Sequence, residues 1–309
     1  KRQLNYICQQ WHSKSYGIWE EVRGMHFFVA MAQYTALMQG AVFADKLGDR
    51  QAGRHYRDIA KHLKHLIAQF WQPGLAYIPE TLHQQFIKGG GLDTSVMLAT
   101  LYANRPGTAA PITLNDPKML ATLAMLRSQF QALYPINWHL KKGVWLGRYL
   151  NDIYDGNTFL YGNPWILITA ELGEAYYRIA QHILTTPKFS VTWYDQRFFE
   201  QIAPKIHWQV RHQYSWHQNA KTLNILVRHL LTAGDTQLAL VGSKLDCHDK
   251  KCHQLNEQVN RLTGKMTSAP DLTWNYVAII RAQWARHQLT DALQNASDNM
   301  SIVAETDPK

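Results

Sequence analysis

The chain has 309 residues, 46% of them hydrophobic and 18% charged, enough to bury the core of one large domain or two ordinary ones. Its formal charge of +9 is scattered, the densest stretches being KHLKH (61–65) and DKKCH (249–253), which reads as solvated surface and speaks against a nucleic-acid-binding stripe. Three cysteines are too few for a disulfide framework, and no run of eighteen unbroken apolar residues predicts a membrane-spanning segment.

In chain order, KRQLNYICQQW reads as helix from the first residue, with no signal peptide and no initiator Met, so the chain is expected to begin inside a longer protein. Apolar residues at three- and four-residue spacing predict a long helix over 21–47 (Val22, Met25, Phe28, Val29, Ala32, Ala36, Val42) and another over 53–71. Asp93 and Thr94 are read as caps of a helix ending near Tyr102, and Asp116-Pro117 opens one that runs to Leu133. Further helices are expected over 165–186, 193–203, 217–240 and 271–290, with short strand-like pieces near 75–79 and 144–146.

QPG (72–74), KGGG (88–91), NRPG (104–107) and DGN (155–157) carry turn chemistry. The loops over 134–164 and 241–270 are too long to be simple connections, and loops of that kind usually carry function. The expected fold class is all-α, an array of helical hairpins. The first 290 residues form the domain, and the polar residues 291–309 form a fraying tail. In CHDKKCH (247–253) the thiols sit beside His248 and His253, but a second zinc-ligand pair is missing. A local loop disulfide between Cys247 and Cys252, or two free thiols, is the expectation. The histidines of HWQVRHQYSWHQ (207–218) are irregularly spaced and read as surface, so no metal is assigned.

The chemistry-bearing residues are acids in loops or at helix mouths among aromatics. Glu20 and Glu21 follow Trp19 and precede an apolar run, while Arg148, Tyr149 and Asp152 lie in GRYLNDIYDG. Trp165 follows GNP, and Glu257 lies fourteen residues before Asp271 of DLTW, which contains Trp274. Two carboxylates far apart in sequence suit glycoside hydrolysis, in which one delivers a proton to the leaving oxygen and the other draws one from water. An aromatic wall such as Trp19 desolvates an acid and also stacks on sugar faces, and an Arg fork holds hydroxyls or balances a carboxylate. A helix-start charge or cap is the competing reading of Glu20, and spacing alone does not decide between them.

YGIWEEVRGMHFF, LGRYLNDIYDG with GNPW, and EQVNRLTGKMTSAPDLTWNYVAII resemble, in order, motifs of the glucoamylases, the family-15 inverting glycoside hydrolases. The resemblance implies that Glu20 is the general acid and Glu257 the general base. It places Glu21, Arg148, Tyr149, Asp152, Trp165 and Trp274 on the substrate and Trp19 in the pocket wall. Leu150 and Asn151 depart from the family's Pro and Glu. The implied fold is an (α/α)6 toroid, of which about eight of the twelve helices fit here. The family's Arg-Asp motif "GRPQxDGP" is absent from this chain, so the missing N-terminal part of the same protein is an expected partner.

The implied activity is release of glucose from the non-reducing ends of α-1,4-linked glucans or maltooligosaccharides with inversion. For inversion the two carboxyl groups are expected about 6.5–9.5 Å apart, leaving room for a water. No cofactor, metal, nucleic acid or membrane is implied, and the resemblance points to a secreted or periplasmic protein. Two alternatives stand beside this reading, a non-catalytic glucan-binding relic and an inverting hydrolase of another α-glucoside linkage.

Overall fold

The computed structural model describes residues 1–82, 89–104, 109–245 and 254–305. The Cys247–His248–Cys252–His253 segment and most of NRPG lie outside the described residues. The chain divides into two compact units, Lys1–Leu126 with Arg148–Asp152, and Arg127–Gly147 with Ile153–Lys309.

The first unit begins with α1 (Arg2–Gln10) and a small antiparallel pair, β1 (Ser15–Tyr16) with β2 (Arg23–Gly24). Next come α2 (Phe27–Lys46), α3 (Arg50–Ala68), α4 (Ser95–Ala103) and the first part of α5 (Pro117–Leu133). Helix α3 buries Gly53, Tyr56, Ala60, Leu63 and Ile67, a stripe at helical spacing, and Asp49 caps it by accepting from the Ala52 amide at 3.1 Å. Helix α2 lays Phe27, Ala30, Met31, Tyr34, Leu37 and Ala41 against α3 and α4. By length and composition α2 is apolar enough to cross a membrane, with a mean hydropathy of 1.3, and 39% of that window is buried inside the fold.

The expected helix over 21–47 therefore starts six residues late. Residues 23–24 are committed to the β1–β2 pair, and His26 is the extended N-cap of α2. The His26 ring is wedged in place, with Nδ1 2.5 Å from Glu80 Oε1 and Nε2 2.9 Å from the Val22 carbonyl.

The second unit holds the rest of α5, α6 (Pro135–Trp138), α7 (Ile166–Thr185), β3 (Lys188–Ser190), α8 (Gln196–Ile202) and β4 (Gln213–Ser215). It continues with α9 (Trp216–Gly242), β5 (Gln258–Val259), β6 (Met266–Thr267) and α10 (Thr273–Glu305). Helix α7 is buried nearly all round because α9 and α10 both pack on it. Glu174, fully buried on α7, is satisfied by Arg178 at 2.6 Å and by a two-pronged Arg281 of α10 at 3.0 and 3.1 Å.

Among the described residues there are ten α-helices, and the eight of nine residues or more leave only α6 and α8 as short additions. The two stretches read as strand-like, 75–79 and 144–146, form no strand, and the strands among the described residues are three separate two-stranded pairs. Helix α10 runs to Glu305, well past the expected end at 290, since no Gly or Pro interrupts 281–305.

Candidate active site

In the first unit the WEE stretch is not at a helix mouth. Residues 17–22 make the turn between β1 and β2, closed by the Glu20 amide donating to the Gly17 carbonyl at 3.0 Å. Glu20 itself takes the left-handed conformation at φ +56°, a costly setting for a residue with a Cβ and one that clusters at functional sites. Its carboxylate is exposed and makes no hydrogen bond or ion pair among the described residues.

Trp19 is buried. Its indole N–H is shared between the two oxygens of Asp93, at 2.9 and 3.1 Å, and its ring lies 5.5 Å from the Arg148 guanidinium carbon. Asp93 thus does more than cap a helix. It accepts from the Ser95 amide at 2.7 Å and also fixes the indole.

Arg148 is the hub of this cluster. Its Nε and Nη2 grip Asp152 in a two-pronged pair at 2.8 and 2.6 Å, and Nη1 reaches Glu21 Oε1 at 2.7 Å. Burial opposes the guanidinium's charge, but the Asp152 bonds and the charges of Asp152 and Glu21 outweigh it and raise its pKa above the ordinary value. Tyr149 donates its hydroxyl to Glu21 Oε2 at 2.7 Å, and burial followed by that bond pushes the phenol's pKa up. Backbone bonds set the register: the Thr94 amide and hydroxyl both donate to the Arg148 carbonyl, at 2.9 and 3.0 Å. The structure so joins Trp19, Glu21, Arg148, Tyr149 and Asp152 in one hydrogen-bonded and stacked cluster.

In the second unit Glu257 is half-buried on the strap that leads into β5. Its Oε2 accepts from the Ser268 hydroxyl at 2.5 Å and from Gln258 Nε2 at 3.1 Å. The strap is pinned on both sides. The Glu257 amide donates to the Ala269 carbonyl at 2.9 Å, and the Ile166 amide donates to the Glu257 carbonyl at 3.2 Å. Trp165, the N-cap of α7, bridges Gln258 in antiparallel fashion and is buried. Trp274 stands half-buried in the first turn of α10, beside Asn275, whose side-chain amide donates to the Leu255 and Asn256 carbonyls at 3.1 and 2.9 Å.

Gln258 and Ser268 carry no role in the sequence reading, and Asp93 only that of a cap. Ser268 lies eleven residues from Glu257 inside the quoted stretch EQVNRLTGKMTSAPDLTWNYVAII, and the β5–β6 pairing, which no local pattern announces, brings the two together. Glu257 is thus a carboxyl group accepting from two neutral donors, and Glu20 an exposed one on a hydrogen-bonded turn.

The chain is 30% identical to glucoamylase 1 of Rhizopus oryzae, over 92% of this chain and 46% of that protein. It is 29% identical to the intracellular sporulation-specific glucoamylase of Saccharomyces cerevisiae, over 94% of this chain and 55% of that protein. The solved glucoamylase from Saccharomycopsis fibuligera superposes with a TM-score of 0.84 at 25% identity, covering 93% of this chain and 60% of that one. The chain thus spans about half the length of the curated relatives it matches, and it shares the helical fold of glucoamylases, which are (α/α)6 barrels. The sequence model of the glycosyl hydrolases family 15 matches residues 1–284, nearly the whole chain, and the chain belongs to that family.

Proposed function

We propose that the protein hydrolyses α-1,4-linked glucans from their non-reducing ends, releasing glucose with inversion at the anomeric carbon. Glu20, protonated, gives its proton to the glycosidic oxygen as the C–O bond breaks. Glu257, ionised, takes a proton from the water that adds to the anomeric carbon on the opposite face. The water's oxygen becomes the new anomeric hydroxyl, and each carboxyl ends in the other's starting protonation state.

In this reading the buried Arg148 presents Glu21 and Tyr149 to sugar hydroxyls while Asp152 fixes the orientation of the guanidinium fork. Trp19, Trp165 and Trp274 supply apolar faces against the sugar ring. The observation that carries the proposal is the pair of hydrogen bonds that Ser268 and Gln258 make to Glu257, which hold its carboxylate as an acceptor on two neutral donors.

Proton NMR of maltooligosaccharide digestion tests it. β-Glucose appearing before mutarotation is the expected result. α-Glucose appearing first contradicts inversion, and internal cleavage to longer products contradicts exo action. Binding without turnover would reassign the protein as a glucan-binding relic.

A further inference from the structure

The second unit contains a cavity of about 480 Å³ lined by none of the residues assigned to catalysis or glucan binding. That volume lies within the range, about 300–1,000 Å³, of sites that hold a whole small molecule. Its wall is unusual in charge. Arg127 of α5, Lys141 and Lys142 of the loop after α6, and His229 of α9 all face it, and no Asp or Glu lines it. Neither lysine nor Arg127 forms an ion pair among the described residues. Three uncompensated cations around one concavity repel one another, and an anion removes that repulsion.

The polar groups deeper in the cavity add direction. Tyr176 of α7 is 3% exposed, lines the cavity, and its hydroxyl has no hydrogen-bond partner among the described residues. The ring is buried but the oxygen is not, so the hydroxyl is open to a ligand in the cavity. His229 Nδ1 lies 3.0 Å from the Ile202 carbonyl, which can only accept, so Nδ1 carries the proton and Nε2 is left over. Thr232 and Thr236 donate their hydroxyl protons back into α9, at 2.9 and 2.7 Å, so each offers the cavity only an accepting oxygen.

The cavity is also preformed. Gln237 of α9 accepts from the Val144 amide and donates to the Val144 carbonyl, both at 2.9 Å, which fastens the loop carrying Lys141 and Lys142 to the helix carrying His229. Cationic donors on one side with accepting oxygens on the other match a molecule that carries a phosphate group and hydroxyls. A neutral glucan would gain nothing from the cations.

We propose that this cavity binds a phosphate-bearing small molecule, the phosphate held by Arg127, Lys141 and Lys142 and a further acceptor of the ligand by the Tyr176 hydroxyl. Two sources share that chemistry, free inorganic phosphate and a phosphorylated sugar, and they are separable by experiment.

Isothermal titration of the protein with inorganic phosphate and with glucose 6-phosphate, at low and high salt, is the test. The wild type is set beside Lys141→Ala/Lys142→Ala, Arg127→Gln and Tyr176→Phe. The expected result is saturable binding that weakens with salt and falls by at least about tenfold in the double lysine variant. The exposed lysine positions put little of the fold at risk, glucan turnover stays at the wild-type rate, and Tyr176→Phe keeps the buried ring while removing the hydroxyl. Tighter binding of glucose 6-phosphate, with the preference reduced by Tyr176→Phe, assigns the site to a phosphorylated sugar. Equal binding of both assigns it to the free anion. No saturable binding of either probe, or binding indifferent to all three substitutions, overturns the proposal.

Discussion

Ser268 donates its hydroxyl to Oε2 of Glu257 at 2.5 Å, and both residues lie on the short β5–β6 hairpin segment. The bond reaches across the hairpin because Ser268 adopts φ +68° and because Gly156 leaves room beside it: a Cβ at Gly156 would come within 2.2 Å of the Ser268 Cβ. A hydrogen bond to a charged acceptor contributes about 1.5–3 kcal/mol. If Glu257 is the base, Ser268→Ala lowers kcat by about ten- to a hundredfold with little change in KM. Steady-state kinetics read this directly, and Gly156→Ala should move kcat in the same direction by displacing Ser268. An unchanged kcat in Ser268→Ala removes Glu257 from the proton transfer.

Glu20 presents a conflict between stability and activity. A non-glycine residue held in the left-handed region costs about 1–2 kcal/mol, and Glu20 makes no side-chain contact that repays it among the described residues. Glu20→Gly is therefore expected to leave stability unchanged or raise it by up to about 1 kcal/mol while removing turnover by orders of magnitude. Glu20→Gln should lose turnover alone, with oligosaccharide affinity kept. Denaturant midpoints and kcat measured on the same preparations check both halves. A substantially active Glu20→Gln ends the assignment of Glu20 as acid.

Arg148 holds its cluster together in addition to the role proposed for it toward the substrate. Arg148→Lys keeps the charge but loses the two-pronged grip on buried Asp152 and the planar contacts with Trp19 and Tyr149, at 5.5 and 5.3 Å. Breaking a buried pair from one side costs about 3–5 kcal/mol, and a lysine that still reaches Asp152 or Glu21 loses part of that. Tyr149→Phe keeps the ring and removes the hydroxyl bond to Glu21, and is expected to raise KM several-fold with stability nearly unchanged. Chemical denaturation of Arg148→Lys and kinetics of Tyr149→Phe distinguish the two roles.

The helices were legible in the sequence because their apolar stripes are long and repeat at a single period. The predicted helix over 165–186 and the observed α7 differ by a residue at each end. What the sequence hid is local or long-range. Two-residue strands such as β1 and β2 have no period to detect, so the turn bearing Glu20 was absorbed into a helix mouth. The bond from Trp19 to Asp93 joins residues 74 apart, which no local pattern announces, and it fixes the indole inside the fold. Arg148 and Asp152 lie four positions apart in one quoted motif, but the sequence leaves open whether the fork holds hydroxyls or a carboxylate, and their pairing is visible only in the structure.

The close approach of α7 and α9 is tightest at Gly234, with Gly173 of α7 facing it. A Cβ at Gly234 would lie 2.3 Å from a ring carbon of Tyr177, and that ring has nowhere to go. Tyr177 is fully buried, and its hydroxyl donates to Asp235 at 2.7 Å, an aspartate that also pairs with Arg286 at 2.7 Å. Helix propensity favours Ala over Gly by about 1 kcal/mol, whereas forcing extra volume into a packed contact costs about 1–3 kcal/mol or more. The overlap here is with a fixed aromatic ring, so the second effect wins and Gly234→Ala lowers the denaturation midpoint. At Gly242, the end of the same helix, an added methyl would meet nothing within 4 Å, and Gly242→Ala should therefore cost no stability. The pair of variants, melted side by side with specific activity recorded for the folded fraction, separates packing from propensity. Equal midpoints would mean that α7 and α9 shift apart to accommodate the methyl, and that Gly234 is not what sets their spacing.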